Sequence, residues 1–296
     1  FSHTFAKSFI YDSYACLPGK GTHAASNRLD HFISSAKNKF QTDVYYLKCD
    51  VRAFFMSITK SVLFDIVEEK IDNLWWKELT KTFIFHNIVK YCIQKGDLSL
   101  FDKVPIERSL FNSYPLRGLP IGNLTSQFFG NVYLNELDQF VKHQLKVKYY
   151  IRYVDDIVVL SNSPQYLNDV YNEMNKFINE RLNLCFHPKK KIIDKVNSAV
   201  DFVGFIHYPY NKLIRKRVIS NAYKSLRSYE ITLNDFYKLS INDRKAYKDK
   251  ILGSLNSYLG MFAKTNSYDL RRSFIHNIQK TIPFIKHNKN FTKVYF

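Results

Sequence analysis

Ile151-Arg152-Tyr153-Val154-Asp155-Asp156-Ile157-Val158-Val159-Leu160 is the stretch on which the reading of this chain turns. Apolar, mostly β-branched or aromatic residues close in on two adjacent carboxylates from both sides. That pattern reads as a β-hairpin with Asp155 and Asp156 at its tip. Like charges held side by side repel, so such a tip is most useful when it holds a divalent cation. Asp also favours turns for backbone reasons, and Asp-Asp alone would fit an ordinary polar turn. The decision comes from the rest of the chain.

Upstream, Val44-Tyr45-Tyr46-Leu47-Lys48-Cys49-Asp50 reads as a buried strand that ends on a third carboxylate. If this strand neighbours the hairpin, three carboxylates meet at one point. Such a cluster suits two Mg²⁺ ions, which activate a hydroxyl and stabilise a departing pyrophosphate. Phosphoryl transfer depends mainly on positioning and charge neutralisation, so oxygen ligands suffice. Taken singly, Asp50 also fits a plain strand-end residue.

Between these points the pattern is mixed. Thr22 to Lys39 is polar and helical, and Thr59 to Lys95 reads as helix from Leu63, Ile66, Val67 and Ile71. Turn formers gather around Gly96 and Pro105. Gly118-Leu119-Pro120-Ile121-Gly122-Asn123 is a backbone-rich turn leading into a helix through Val141. Ser163 to Leu182 reads as helix, Leu184 to Ile193 as strand, and Phe202 to Ile206 as a further short strand. Beyond Ile219 the chain is helical, basic and rich in Tyr. Strands alternating with helices, followed by a helical appendage, give an α+β class.

The composition points to a polyanionic partner. The 296 residues carry 44 Lys and Arg against 26 Asp and Glu, a net charge of +18. From Pro209 to Phe296 there are 18 Lys and Arg against 5 Asp and Glu, so this stretch holds +13 of that excess. The 25 Phe and 21 Tyr build core and offer surface for stacking on bases. Cys16, Cys49, Cys92 and Cys185 have neither zinc-site nor disulfide-framework spacing, which fits a reducing compartment. No apolar run long enough for a membrane span and no signal peptide is visible. The chain opens at Phe1 in mid-pattern, and a segment ahead of it is expected.

Five blocks, taken in order, resemble reverse transcriptases: Asp50-Val51-Arg52-Ala53-Phe54-Phe55, Gly118 to Gln127, Tyr153-Val154-Asp155-Asp156, Leu184 to Lys190, and Phe202-Val203-Gly204-Phe205. The resemblance covers Phe9 to about Arg217. It implies a right-hand polymerase, with partial fingers over 1–43, a palm with inserted fingers elements over 44–208, and a basic helical thumb over 209–296. Asp50, Asp155, Asp156 and the Val51 carbonyl would serve two Mg²⁺ ions, with Mn²⁺ as an alternative. Phe55 would be the steric gate against a 2′-hydroxyl, although core packing is its plainer role. Ile121, Gly122 and Gln127 would lie at the incoming nucleotide. Lys190 would be the basic residue at the leaving pyrophosphate, with Lys189 and Lys191 as close competitors. Lys20 and Tyr153 would touch template or primer, and Phe202 and Gly204 would form the primer grip. Gly19-Lys20-Gly21-Thr22 is not a phosphate-binding P-loop, because the required spacing is absent; a helix-capping turn is its blander reading.

Within that family, Ile121-Gly122-Asn123-Leu124-Thr125-Ser126-Gln127 resembles the reverse transcriptases of diversity-generating retroelements, where many relatives carry Gln-Gly and Ser-Pro. The resemblance implies cDNA with errors opposite adenine, copied from a template-repeat RNA. It also implies dNTPs, an RNA/cDNA hybrid, a small basic ring-forming accessory protein and no membrane. The setting would be a bacterial cytoplasm, with a phage or mobile element as source. An intron-like or defence reverse transcriptase of ordinary fidelity is the nearest alternative; a silent RNA-binding protein is the distant one.

Overall fold

The computed structural model describes residues 5, 7–112, 115–229 and 238–296. The chain forms two units, Phe1–Val196 and Asn197–Phe296. Residues 1–4, 6, 113–114 and 230–237, the last within the stretch that the sequence predicts to be helical beyond Ile219, lie outside the described set.

The first unit opens with α1 (Thr22–Phe40), whose Ala25, Leu29, Phe32, Ile33 and Ala36 repeat at helical spacing and are buried. Strand β1 (Tyr45–Asp50) follows. It sends Leu47 and Cys49 into the core and turns Lys48 and Asp50 to the opposite face, as a period of two requires. Next come α2 (Phe54–Ser57), α3 (Lys60–Glu68), α4 (Leu74–Phe85) and α5 (Ile88–Tyr91). The sequence predicts one helix from Thr59 to Lys95; the structure breaks it twice. Asn73 accepts from the Trp76 N–H and Asn87 from the Lys90 N–H, and each cap starts a new helix. Apolar periodicity runs through both breaks, which is why pattern alone misses them.

Helix α6 (Leu124–Gln139) is the central element. Every residue from Phe129 to Asn135 is buried, which spans all faces of the helix, and Val132, Tyr133, Leu134 and Leu137 are fully enclosed. It leads to β2 (Tyr150–Tyr153), β3 (Asp156–Ser161) and α7 (Pro164–Leu182), the last capped by the Ser163 hydroxyl. Strand β4 (Ile192–Lys195) completes an antiparallel sheet of order β2-β3-β1-β4. The expected strand from Leu184 to Ile193 is mostly irregular. Phe186 makes one bridge to Val51, and Pro188–Lys190 is a 3-10 turn whose start is held by the Lys189 N–H on His187 Nδ1. Pro188 has no N–H to give a ladder, so strand pairing resumes only at Ile192.

In the second unit, β5 (Val200–Phe202), β6 (Phe205–His207) and β7 (Lys212–Ile214) form a meander. The single short strand expected over Phe202 to Ile206 is therefore a tight hairpin, reversed at Val203 (φ 44°) and Gly204 (φ 88°). Helices α8 (Lys216–Arg227), α9 (Ile241–Phe262) and α10 (Tyr268–Thr281) pack Leu226, Leu255, Leu259, Phe262 and Phe274 into their own core. The 197–208 segment thus groups with the helical tail in this division. No helix among the described residues is long and apolar enough to cross a membrane.

Candidate active site

The register of the sheet brings two of the three carboxylates together. Asp50, the last residue of β1, is the direct cross-strand partner of Asp156, the first residue of β3. Paired residues on antiparallel strands project from the same face. Asp155 sits beside them in the tip that joins β2 to β3, and its carbonyl accepts from the Val51 N–H at 3.3 Å. Val154, the other tip residue, has φ 55°. A β-branched side chain is costly there, so surrounding contacts must hold it.

The charges at this point are crowded. Lys190 Nζ lies 2.8 Å from Asp50 Oδ1, and Lys48 Nζ lies 3.3 Å from Asp156 Oδ2. Burial pushes the Asp155 carboxyl up to about 6, and the negative Asp50 adds to the rise. Burial likewise pushes Asp156 up to about 6, against the pull of the Lys48 ammonium. Asp156 Oδ1 is buried with no hydrogen-bond partner among the described residues. Burial, more than a lack of nearby cations, thus disfavours the charged form of both carboxyls.

Asp50, Val51 and Asp155 line a cavity of about 210 Å³, together with Phe55, Ile121, Glu107, His187 and Lys190. Among the described residues, no three His, Cys, Asp or Glu side chains make a ready cage for a metal ion. Mg²⁺ does not need one: it is commonly held by one or two carboxylates, with water and substrate phosphates completing its shell. Asp50 and Asp155 on one cavity, with Glu107 already paired to Arg52, fit a divalent ion of that kind, and the unsatisfied Asp156 oxygen belongs to the residue facing Asp50 across the strands.

Of the other predicted residues, Phe55, Ile121 and Lys190 line this cavity, while Gly122, Gln127 and Tyr153 are not among its lining residues. Phe55, on α2, packs against Phe54 with ring centroids 5.1 Å apart. Ile121 is 73% exposed in the turn before α6, and Gly122 follows it at φ 102°, where only glycine is at ease. Gln127 Oε1 accepts from Cys16 Sγ at 3.3 Å. Tyr153 pairs with Asp156 across the hairpin. Of the three competing lysines, Lys190 alone reaches Asp50; Lys191 bonds Asn168 Oδ1 at 2.7 Å and covers the Tyr171 ring. Lys20 does not line the cavity. Its ammonium bonds the Tyr11 carbonyl and lies over the Tyr11 and Tyr14 rings. Phe202, fully buried, and Gly204 belong to the hairpin of the second unit.

Residues 2–207 match the family of reverse transcriptases, RNA-dependent DNA polymerases. The chain belongs to the reverse transcriptase family. It is 22% identical over 239 residues to the putative COX1/OXI3 intron 2 protein of Saccharomyces cerevisiae, covering 68% of this chain and 27% of that protein. Among solved structures, it resembles telomerase from Candida albicans in complex with a TWJ fragment of telomeric RNA, at TM-score 0.50 and 13% identity, over 96% of this chain and 48% of that one. Apo telomerase from Candida tropicalis, truncated from the C-terminal domain, gives TM-score 0.52 and 12% identity over 72% of this chain and 43% of that one. The chain thus spans about a quarter of the curated relative and about half of these telomerase chains. The fold is that of a right-hand polymerase, α+β with antiparallel sheets. Reverse transcriptase domains generally use divalent metal ions.

The candidate site and its surroundings also contain residues that sequence reasoning passes over. Lys48 is legible, since the period of β1 puts it on the Asp50 face. The ion pair of Arg52 with Glu107 is not, because Glu107 arrives from a loop distant in sequence. Gly130 lies inside α6, where a Cβ would stand 3.1 Å from Phe54 Cε1 and 3.3 Å from Phe55 Cε1. A glycine interrupting a strong helical pattern is its signal.

Proposed function

We propose that this chain is the polymerase core of a diversity-generating retroelement reverse transcriptase, an RNA-directed DNA polymerase that makes cDNA with errors concentrated opposite adenine. The observation that carries the subtype is Ile121. It opens the Ile121 to Gln127 block and stands exposed on the same cavity as Asp50, Phe55 and Asp155.

Asp50, Asp155 and Asp156, with the Val51 carbonyl, would hold Mg²⁺, or Mn²⁺ in its place. Bound there, the ions supply charge neutralisation at the phosphates and activation of the primer 3′-hydroxyl. Lys190, 2.8 Å from Asp50, can swing its ammonium onto a triphosphate once Asp50 has another cation partner. It would then offset charge on the leaving pyrophosphate. Phe55 presents a rigid ring to the sugar and excludes a 2′-hydroxyl by bulk. Ile121 packs but donates no hydrogen bond, where relatives carry an amide. A contact of that size is worth about 1 kcal/mol, or about fivefold in discrimination. Gly122 shapes the same turn, and Gln127 follows in the first turn of α6.

The fingers, palm and thumb over 1–43, 44–208 and 209–296 complete the reading. The Phe202–Gly204 turn would serve as primer grip, and the basic helices of the second unit would follow the hybrid through its phosphates. Lys20 and Tyr153 would stand near template and primer. A small basic ring-forming protein would present the RNA, in the cytoplasm of a bacterium carrying a phage or mobile element.

Primer extension on an RNA template containing all four bases, followed by sequencing of the cDNA, tests this. Errors concentrated opposite adenine, reduced in Ile121→Gln, support it. Uniformly faithful cDNA moves the protein to an intron-like reverse transcriptase, the reading that the similarity to the yeast intron protein favours.

A further inference from the structure

Behind the carboxylate tip lies a polar network that takes no part in the proposed chemistry. Arg152 heads the fully buried side chains by volume, and its partner Asp138 is equally enclosed. Nε reaches Asp138 Oδ1 at 2.8 Å while Nη2 reaches Oδ2 at 2.6 Å, a two-pronged pairing. The Tyr150 hydroxyl donates to the same Asp138 Oδ1 at 2.7 Å. Nη1 is left over, and it donates to the Val154 carbonyl at 2.9 Å and to Asn131 Oδ1 at 3.3 Å.

The connections run further. Asn131 Nδ2 donates to the Ala15 carbonyl at 2.7 Å. The Arg152 N–H donates to the Asp12 carbonyl, and its carbonyl accepts from the Tyr14 N–H, both at 3.0 Å. One arginine thus joins α6, β2, the 12–15 segment and the tip that carries Asp155. Stability alone is a weak reason for such a pair. Apolar residues of similar volume often replace a buried ion pair at no cost in folding. What they cannot supply is a donor aimed at the Val154 carbonyl, next to a backbone in the left-handed region.

We infer that Arg152, clamped by Asp138, is a positioning residue: it fixes the Val154–Asp155 tip and thereby the aim of the Asp155 carboxylate. Through Asn131 and Ala15 it ties that aim to the 12–16 segment, where Cys16 meets Gln127. The inference rests on Asp155 being a metal ligand. A guanidinium is required because its rigid fork serves Asp138 and Val154 together; a lysine ammonium keeps the charge but not both contacts.

The test uses the full chain bound to RNA template, dideoxy-terminated primer and the next dNTP, with Mn²⁺ as the probe and free Mn²⁺ read by its electron paramagnetic resonance signal. The central variant is Arg152→Met with Asp138→Leu, which removes both charges at once; Arg152→Lys carries the same test if that double variant does not fold. The expected result is a variant that still unfolds cooperatively, with its midpoint lowered because the buried Tyr150 hydroxyl loses Asp138, and Mn²⁺ affinity lowered about 10–100-fold, the usual effect of losing a group that orients a ligand. In extension assays, half-maximal Mg²⁺ should rise by the same factor, with KM for template–primer unchanged. A folded variant with parental Mn²⁺ affinity and Mg²⁺ dependence overturns the inference. Asp155→Asn is run alongside. If that substitution leaves both readouts at the parental level, the metal-site reading itself fails; if it abolishes them while the Arg152 variants change nothing, only the positioning role fails.

Discussion

Replacing Asp155 by Asn should make the metal-free protein more stable, and by an amount that depends on pH. The carboxyl is pushed from 3.8 up to about 6, chiefly by burial and then by Asp50. A folded-state value above the unfolded one means the folded chain binds the proton more tightly. The ionised acid therefore opposes folding, and the penalty grows as pH rises through the window from about 4 to about 6. At 1.36 kcal/mol per unit, the full penalty at pH 7.5 is about 3 kcal/mol. At pH 5 it is about half that. Asn keeps the shape and removes the charge, so the variant should gain about 1–3 kcal/mol at pH 7.5, or roughly 3–9 °C in Tm for a unit of this size. Thermal unfolding in chelator at pH 5 and 7.5 reads the effect directly. Added Mg²⁺ with template–primer and nucleotide should then narrow the gap, because the parent, with its full set of carboxylates, gains more from binding. A variant no more stable than the parent at pH 7.5, or a gain equal at both pH values, refutes the reasoning.

Three further outcomes follow from the site. Phe55→Ala removes the ring beside Phe54 and should raise ribonucleotide incorporation relative to deoxynucleotide by about 10-fold or more, measured by single-nucleotide extension; unchanged discrimination removes the gate assignment. Lys190→Met should slow single-turnover pyrophosphate release by about 10²-fold while leaving the unfolding midpoint near the parent's, since the side chain is 47% exposed and its surface pair contributes little. Gly130→Ala places a methyl 3.1 Å from Phe54 Cε1. Its helix-propensity gain of about 1 kcal/mol is offset by crowding, so stability should change little while KM for dNTP rises severalfold; an unaltered KM would mean that Phe54 and Phe55 yield freely.

Pattern and structure agree and part at particular residues. Strand β1 is legible because Leu47 and Cys49 alternate with Lys48 and Asp50, and α7 because Leu167, Val170, Met174, Ile178 and Leu182 keep one buried face. The Thr59 to Lys95 stretch reads as one helix since Asn73 and Asn87 act as caps only once their side chains turn back on the backbone. Leu184 to Ile193 has strand-like composition, yet His187 gives its N–H to the Asp50 carbonyl at 2.8 Å and the chain coils at Pro188. Reading Phe202 to Ile206 as one strand overlooks that Val203 adopts a positive φ beside Gly204, which a residue's identity does not announce.

Local order in the chain determined that two acids sit at a hairpin tip and that a third ends a strand, because periodicity and turn chemistry act between near neighbours. The family was legible only through the resemblance of five blocks in order. Tertiary structure alone decided that Asp50 faces Asp156, that Lys190 rather than Lys189 or Lys191 meets Asp50, and that Arg152 points inward to Asp138 and Val154 instead of out to a nucleic acid. Those outcomes depend on strand register and on the burial of partners far apart in sequence. Burial is also what raises the two carboxyls, and no residue carries that property by itself.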